Sequence, residues 1–361
     1  MLPMERYFGE LELVHQFYGA MPTGVSLSET GRVFVCFPKW GDDVQATVAE
    51  IIGGQLFPYP SLEANVFHPE RITSSWISVQ SIVVDGRGTL WILDTGAPHF
   101  SEPIPGGAKL VAVDLKTNTI RKSYTFTEDV VLPTTYLNDV RFDFRAGKAG
   151  TAYITDSSSK GPGAIIVLDL ESGTAFRRLN GAQATSPDPL FLPKVEGTIL
   201  MNRNPDGSTS PYKGASDGLA ISPDGLTLFF CPLTSRHLFS ISTKALRDQR
   251  IPDVDLPDLV QYWGEKGASD GMITDAQGNL YAGDYENNSI RRIRPHGVIE
   301  TIAHDPRILW PDTFSIGPDQ YLYFIVNQLH RQARFHYGKD LRQKPYSLLR
   351  IKIDELPAPN F

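Results

Sequence analysis

The sequence predicts an all-β fold, a six-bladed β-propeller with four strands in each blade. Six segments share one apolar pattern, in which a short strand reaches a turn and a second strand follows, as in SIVVDGRGTLWIL and GLAISPDGLTLFF. The segments are residues 23–37, 80–94, 138–156, 217–231, 270–284 and 312–326, and their turn residues are Gly31, Gly88, Gly150, Gly225, Gly278 and Gln320. These turns recur at intervals of 42 to 75 residues, within or near the range that is typical of propeller repeats.

The remaining strands lie between and around these repeats. Residues 11–17, LELVHQF, are strand-like and precede the first repeat, and residues 347–353, SLLRIKI, follow the last one. A second hairpin lies between repeats, clearest in KLVAVDLKTNTIRKSYTF, where apolar alternation flanks a polar turn. We therefore expect four strands per blade, with the N-terminal strand closing the ring as the outermost strand of the last blade, since closure removes an exposed sheet edge. Residues 1–361 are predicted to form this one domain.

The composition is that of a globular chain and excludes several classes of function. The chain has 361 residues, of which 41% are hydrophobic and 21% charged, enough to bury a large core. A net charge of −7 argues against a nucleic-acid partner, because phosphate binding requires clustered Lys and Arg. No apolar run reaches the roughly 18 residues of a membrane span, and MLPMERYFGE lacks the apolar stretch of a signal peptide. Cys36 and Cys231 lie within predicted strands, so we expect buried free thiols and a cytoplasmic location.

Propeller geometry predicts which face carries the site. The first strand of each repeat runs along the central axis and the second returns, so the start and the end of a repeat emerge on the same side. The longest loops emerge there too, at residues 38–47, 59–78, 95–107, 180–215 and 327–346. Because long loops on one face of a rigid scaffold commonly build binding sites, we expect the site at this mouth of the axis.

Acidic and amide residues begin most repeats and are expected to meet at this mouth. They are Gln80, Asn138 with Asp139, Asp217, Asp270 and Asp312, and Asn327 ends the sixth repeat. Four carboxylates near one axis cannot all ionise freely without a cation, a donor network or raised pKa values. Three interpretations stay open: acceptors of backbone N–H groups that hold the blades together, ligands of calcium or another hard cation, or proton-transfer groups.

No stronger chemical motif competes with this mouth. The eight histidines lack metalloprotease spacing, and neither a nucleophile elbow nor a phosphate-binding loop is present. Aromatic residues of the site-face loops, including Trp40 and Tyr285, would suit a flat ligand through stacking and burial. His330 lies in one of these loops.

Several segments resemble the yellow and major royal jelly protein family. They include MPTGVSLSETGRVFVCFPKW, VQSIVVDGRGTLWILDTG, YLNDVRFDFRAGKAGTAYITDSS and LWPDTFSIGPDQYLYFIVNQLHR, in the order the family has them. The resemblance independently implies a six-bladed propeller. It implies no single chemistry, because members include dopachrome-converting enzymes, binders of biogenic amines and nutritive secreted proteins.

A more distant similarity links the blades to gluconolactonase and senescence-marker lactonases. That resemblance implies a divalent metal held by a Glu, an Asn and an Asp at blade starts. Asp270 matches the Asp, whereas Asp217 stands where Asn is expected and Thr23 replaces the Glu, so the implied ligand set is incomplete unless Asp312 substitutes. Asn138 and Asp139 resemble a further substrate-side pair.

The leading hypothesis is an enzyme, without a cofactor, that binds a reactive aromatic or quinoid small molecule and steers its isomerisation, tautomerisation or cyclisation, pericyclic cyclisation included. Asp139, Asp217 or Asp270 would move a proton, and Gln80, Asn138 or Tyr285 would hold a carbonyl oxygen. The other expected substrate-binding residues are Asp312, Trp40, Asn327 and His330. One alternative is metal-dependent lactone hydrolysis, with a divalent ion on Asp217 and Asp270. The other is a non-catalytic carrier of amines, which would pair with the acidic mouth.

Overall fold

Each predicted repeat forms the two innermost strands of one antiparallel sheet in the computed structural model, which describes residues 5–359. β1 (Glu12–Phe17) precedes the first blade. Blade 1 contains β2 (Gly24–Leu27), β3 (Val33–Cys36), β4 (Val48–Ile52) and β5 (Gln55–Pro58). Blade 2 contains β6 (Val79–Val84), β7 (Thr89–Asp94), β8 (Lys109–Asp114) and β9 (Thr119–Thr125). Blade 3 contains β10 (Leu137–Asp143), β11 (Thr151–Asp156), β12 (Ala164–Asp169) and β13 (Ala175–Arg178).

Two short hairpins follow blade 3 in the sequence and precede blade 4. They are β14 (Lys194–Val195) with β15 (Thr198–Ile199), and β16 (Met201–Arg203) with β17 (Thr209–Pro211). Blade 4 contains β18 (Ser216–Ile221), β19 (Thr227–Pro232), β20 (His237–Ser242) and β21 (Gln261–Glu265). Blade 5 contains β22 (Met272–Thr274), β23 (Leu280–Asp284), β24 (Ser289–Ile293) and β25 (Ile299–His304). Blade 6 contains β26 (Pro311–Ile316), β27 (Tyr321–Val326), β28 (Tyr346–Lys352) and β1.

Helices are short and lie in the connections. The α-helices are α1 (Leu62–Asn65) and α2 (Thr243–Arg247), and the 3₁₀ helices are Pro69–Arg71, Pro98–Phe100, Gln183–Thr185, Asp253–Leu259, Leu329–Arg331 and Ala333–Phe335. Within residues 5–359, no helix has the length and apolar character needed to cross a membrane.

The innermost strands form a closed ring, as predicted. Going round it, β2 contacts β6, β6 contacts β10, β10 contacts β18, β18 contacts β22, β22 contacts β26, and β26 contacts β2. All six residues on which the repeats align have positive φ, between 65° and 105°, which explains why glycine occupies five of these turns. Apolar side chains between neighbouring sheets form the core, and Cys36 and Cys231 are buried free thiols within it, as expected.

The N-terminal strand closes the ring where the sequence predicts. β1 pairs antiparallel with β28, with Glu12 opposite Arg350 and Phe17 opposite Tyr346. The Phe17 side chain is buried and packs edge-on against Phe37 of blade 1, with the ring centroids 5.7 Å apart. The last blade is therefore completed from the beginning of the chain and is fixed to the first blade by an aromatic contact.

Candidate functional site

Local irregularities at the blade starts aim the site residues at the axis. The pairing register of the two innermost strands shifts between Val79 and Ser81, Leu137 and Val140, Ser216 and Leu219, and Pro311 and Phe314. The residues inside these four shifts are Gln80, Asn138, Asp139, Asp217, Gly218, Asp312 and Thr313. A bulge removes a residue from regular pairing and redirects its side chain. The same irregularity therefore recurs at four blade starts, which contain five of the predicted site residues.

A cavity of about 350 Å³ lies at this mouth of the axis. The predicted residues that line it are Trp40, Gln80, Asn138, Asp217 and Asp270. Loop residues that also line it include Phe100, Tyr136, Ser157, Tyr212 and Arg334. The structure thus brings together half of the predicted site residues around one volume large enough for a small organic ligand.

Two carboxyl groups of adjacent blades form the polar centre of this cavity. Asp217 of β18 and Asp270, which precedes β22, share a hydrogen bond. The Asn138 amide donates to Asp217 Oδ1 at 2.5 Å and the Ser157 hydroxyl donates to Asp217 Oδ2 at 2.6 Å. The Trp310 indole N–H donates to Asp270 Oδ2 at 2.8 Å. We call Asp217 and Asp270 the acid pair.

The acid pair holds a proton between its members. Burial, the negative charge of Asp270 and the hydrogen bond to Asp270 raise the pKa of Asp217 well above its usual range. Burial also raises the pKa of Asp270, but the hydrogen bonds from Asp217 and Trp310 oppose that shift. Two buried carboxyls in contact cannot both ionise at low cost. One member of the pair therefore keeps a proton, and the larger rise in pKa is that of Asp217.

An aromatic wall with fixed hydrogen bonds stands beside the acid pair. The Trp40 indole N–H donates to the Tyr136 hydroxyl at 2.6 Å, and that hydroxyl donates to Gln80 Oε1 at 3.1 Å. The Trp40 ring is stacked on Phe100, with centroids 4.9 Å apart. Because the acceptor of the Gln80 amide is occupied by Tyr136, its N–H₂ group is oriented as a donor, and no residue of the described chain accepts from it.

The third predicted proton-transfer residue, Asp139, lies outside the cavity lining. Its Oδ1 accepts hydrogen bonds from Arg141 at 2.7 Å and from Ser81 at 3.1 Å. The second guanidinium nitrogen of Arg141 donates to the Met272 carbonyl of blade 5 at 2.6 Å. This buried ion pair ties blades 2, 3 and 5 together across the axis. The geometry therefore gives Asp139 the contacts of a structural carboxylate.

Asp312 and Asn327 also lie outside the lining and bond to each other. Asn327 donates to Asp312 Oδ2 at 2.6 Å and to the Pro22 carbonyl at 3.1 Å. Burial and the negative charge of Asp270 raise the pKa of Asp312 well above its usual range. These contacts join blade 6 to the segment that leads into blade 1, at the seam of the ring.

Tyr285 and His330 support the acid pair from behind the cavity wall. The Tyr285 ring is stacked on Trp310, with centroids 4.1 Å apart, and its hydroxyl donates to the Leu233 carbonyl at 2.7 Å. The His330 ring lies against the same indole at 6.0 Å. Both aromatic neighbours hold Trp310 in the position from which it donates to Asp270. Neither residue lines the cavity.

The donor set departs from that of the lactonase metal site. The described chain contains no group of three or more His, Cys, Asp and Glu side chains that could hold an ion together. Thr23, at the position of the lactonase Glu, donates to the Gln80 carbonyl at 3.2 Å and contacts Cys36. Asp217 and Asp270 are hydrogen-bonded to each other, and Asn138 and Ser157 also donate to Asp217.

A second cavity, of about 370 Å³, lies at the opposite end of the axis. It is lined mainly by aliphatic side chains of the innermost strands, among them Val25, Ile82 and Ile273, and by the C-terminal residues 356–359. The acid pair and the long loops are at the other mouth. We therefore place the candidate site at the mouth that carries the acid pair and the long loops.

The structure is a six-bladed propeller with a cavity and a buried acid pair at one mouth of its axis. Comparison with known sequences gives the family. The family model described as "Major royal jelly protein" matches residues 77–359, and the chain belongs to that family. Protein yellow of Drosophila guanche is 29% identical over 259 residues, which are 67% of this chain and 42% of the relative. Protein yellow of Drosophila pseudoobscura pseudoobscura is 31% identical over 253 residues, which are 65% of this chain and 42% of the relative. The match thus spans less than half the length of these curated relatives.

Solved structures confirm the propeller at the level of the fold. A putative gluconolactonase superposes with a TM-score of 0.56 and 13% identity, covering 97% of this chain and 93% of that one. A luciferin-regenerating enzyme superposes with a TM-score of 0.55 and 12% identity, covering 97% and 99%. At such identities the likeness shows architecture and carries no activity across.

Proposed function

We propose that this protein is an enzyme that moves a proton within a small aromatic or quinoid metabolite, and so steers its isomerisation, tautomerisation or cyclisation. The observation that supports this most is the acid pair, a buried proton donor hydrogen-bonded to a buried proton acceptor at the wall of a ligand-sized cavity. Perturbed carboxyls in a cleft are the usual sign of acid–base chemistry.

The pair can exchange one proton for another without changing its own charge. Asp270, as the ionised member, accepts a proton from a carbon or hydroxyl of the substrate, while Asp217 returns a proton to a second substrate atom. The proton count of the pair is restored at the end of the step. Ser157 and Asn138 hold Asp217 on both oxygens, so its orientation is fixed before the substrate arrives.

The wall of the cavity suits a planar substrate with a carbonyl oxygen. The Trp40 and Phe100 rings offer flat apolar surface, and the Gln80 amide offers an N–H donor beside it. A donor aimed at a carbonyl oxygen stabilises the negative charge that develops there when the substrate loses a proton to Asp270. For a cyclisation, the same wall would act by holding the reacting ends together.

Turnover of reactive probes tests the proposal directly. Purified protein would be incubated with quinone-methide and dopachrome-like substrates, and products would be separated by chiral chromatography with mass detection. We expect a product distribution that differs from buffer, and a loss of roughly 100-fold or more in rate for Asp217→Asn and Asp270→Asn. Asp258→Asn, which removes an exposed carboxylate outside the cavity, is the matched control.

The outcomes separate the proposal from its alternatives. Products identical to buffer for every substrate, with tight binding by calorimetry and unchanged ligand, would assign the protein as a carrier. Equal rates for wild type and both acid-pair variants would remove the acid–base role. In the proposed role Asp217 is the proton donor, so its protonated form is the active one. The rate therefore also falls as the pH rises past the raised pKa of Asp217.

A further inference from the structure

One arginine in the cavity wall lies between aromatic rings and has no counter-ion. The guanidinium carbon of Arg334 is 4.9 Å from the centroid of Phe100, 5.2 Å from Tyr212 and 4.7 Å from Phe335. Arg334 lines the same cavity as the acid pair. Three ring faces stabilise its positive charge, and the Tyr212 hydroxyl is hydrogen-bonded to the guanidinium. The rings accept none of the remaining N–H groups of its five-donor fork in the ordinary way.

Within residues 5–359, no carboxylate lies within ion-pairing distance of Arg334, although Glu102 lines the same cavity. Its Nε is buried and has no hydrogen-bond partner. Arg331, three residues earlier, shows the ordinary arrangement, since it donates to Glu196 at 2.7 Å. A buried donor without an acceptor costs free energy in the free protein, and the cost is relieved when a ligand supplies an oxygen.

We propose that Arg334 binds an oxyanion carried by an aromatic ligand, which is a carboxylate or a phenolate on a planar ring. The guanidinium fork matches two oxygens of a carboxylate. The ring of such a ligand would lie along Trp40 and Phe100, and exposed Lys160 and Lys213 at the rim add positive charge. The anion site and the acid pair then hold the two ends of one ligand. The anion site names the substrate class of the proposed function. Conversion of such a ligand rests on the proposed function, whereas its binding by Arg334 does not.

Binding of matched aromatic probes tests the anion site without any turnover. The probes are 2-naphthoate and its neutral analogue 2-naphthamide, and the measurement is the dissociation constant by calorimetry. We expect wild type to bind the carboxylate roughly 10- to 100-fold more tightly than the amide, the range for a charge-assisted hydrogen bond. Arg334→Gln loses this preference, and Arg334→Lys keeps part of it because the charge remains. Phenolate binding is read separately, from the absorbance of 4-nitrophenolate.

The matched control is Arg236→Gln. Arg236 lies over Phe191 at 4.7 Å, as Arg334 lies over its rings, but it pairs with Glu286 and lies outside the cavity. We expect it to leave both dissociation constants unchanged. Near-ultraviolet circular dichroism of each variant checks that the aromatic packing is intact.

Three results overturn the anion site: no binding of either anion by wild type, equal affinity for 2-naphthoate and 2-naphthamide, or an Arg334→Gln variant that keeps the preference. Failure of the reaction is distinct. A wild type that binds 2-naphthoate through Arg334 and converts no quinoid substrate refutes the proposed chemistry and leaves the anion site standing.

Discussion

The acid pair predicts an unusual dependence of stability on pH, which the variant Asp217→Asn isolates. The pKa of Asp217 is raised in the folded protein, by burial first and by Asp270 second, above the value of about 4 that an unfolded chain has. The folded state therefore keeps a proton that the unfolded state releases. The stabilisation this provides is complete below the unfolded pKa and is lost as the pH rises to the folded pKa. Across that window wild type loses about 1.4 kcal/mol per pH unit.

The amide of Asp217→Asn is uncharged at every pH and can still donate to Asp270. The variant does not lose stability through the titration of residue 217. The unfolding free energy of the variant minus that of wild type therefore rises with pH, by up to about 1.4 kcal/mol per pH unit. The slope from a buried carboxyl with a raised pKa that is not among the groups acting on Asp217, such as Asp139, cancels in this difference. Urea unfolding followed by tryptophan fluorescence at half-unit steps from pH 4 to pH 9 measures it.

Asp258→Asn is again the control for the loss of one carboxylate at an exposed position. A difference between Asp217→Asn and wild type that stays constant with pH would refute the assignment of the proton to Asp217. A difference that falls with pH would mean that the folded protein favours the ionised form of Asp217. Asp217 and Asp270 would then not share a proton.

Three further predictions concern the scaffold. Gly218→Ala should lower the unfolding free energy by about 1–3 kcal/mol, because a β-carbon there would lie 2.3 Å from the Asp270 carbonyl oxygen. The control Gly19→Ala has open space around the new β-carbon and should change the unfolding free energy little. Thermal melts of both variants measure the difference. Lys109→Met should cost about 3–5 kcal/mol in urea unfolding, because it leaves the fully buried Asp94 without its cation, and Lys352→Met, from an exposed pair, should cost at most about 1 kcal/mol. Phe17→Ala should cost about 3–5 kcal/mol by opening the seam of the ring, and equal melting temperatures for Phe17→Ala and the exposed Tyr18→Ala would contradict that role.

The propeller could be predicted from the sequence because its determinants are local. Alternation of apolar residues and a turn residue with positive φ recur in every repeat, and even Gln320, where glycine is replaced, adopts the expected backbone. The closing strand, β1, was visible as an apolar segment without a partner of its own. The hairpins β14–β15 and β16–β17 were not predicted, because they are two or three residues long and carry no apolar alternation.

The site was less predictable because it depends on distances between blades. That Asp217 contacts Asp270 rather than a cation cannot be read from two positions 53 residues apart. The bulges that aim Gln80, Asn138 and Asp217 at the axis have no sequence signature of their own. Arg334 was missed altogether, since an arginine in a polar loop gives no sign of its aromatic surroundings or of its missing counter-ion. Tyr285 and His330 were placed on the correct face, but the depth at which they lie is set by the Trp310 stack.

Several of the carboxylates that hold the ring together are paired with a cation. The carboxylates at the ends of the second, third and fifth repeats each have one: Lys109 for Asp94, Arg177 for Asp156 and Arg291 for Asp284, at 2.8–2.9 Å. Asp139 has Arg141. The described chain gives no such partner to Asp217, Asp270 or Asp312, and of these Asp312 is bonded by Asn327 away from the cavity.

Among the buried carboxylates that have no cation partner in the described chain, Asp217 and Asp270 lie at the wall of the ligand cavity, whereas Asp312 and Asp275 are held by neutral donors away from it. Arg334, in the same wall, has no anion partner within residues 5–359. The two groups are held by different partners, Asp270 by Trp310 and Arg334 by its three rings. Buried charges kept separate at a cost in stability are expected where a ligand, rather than the protein, completes the pairing.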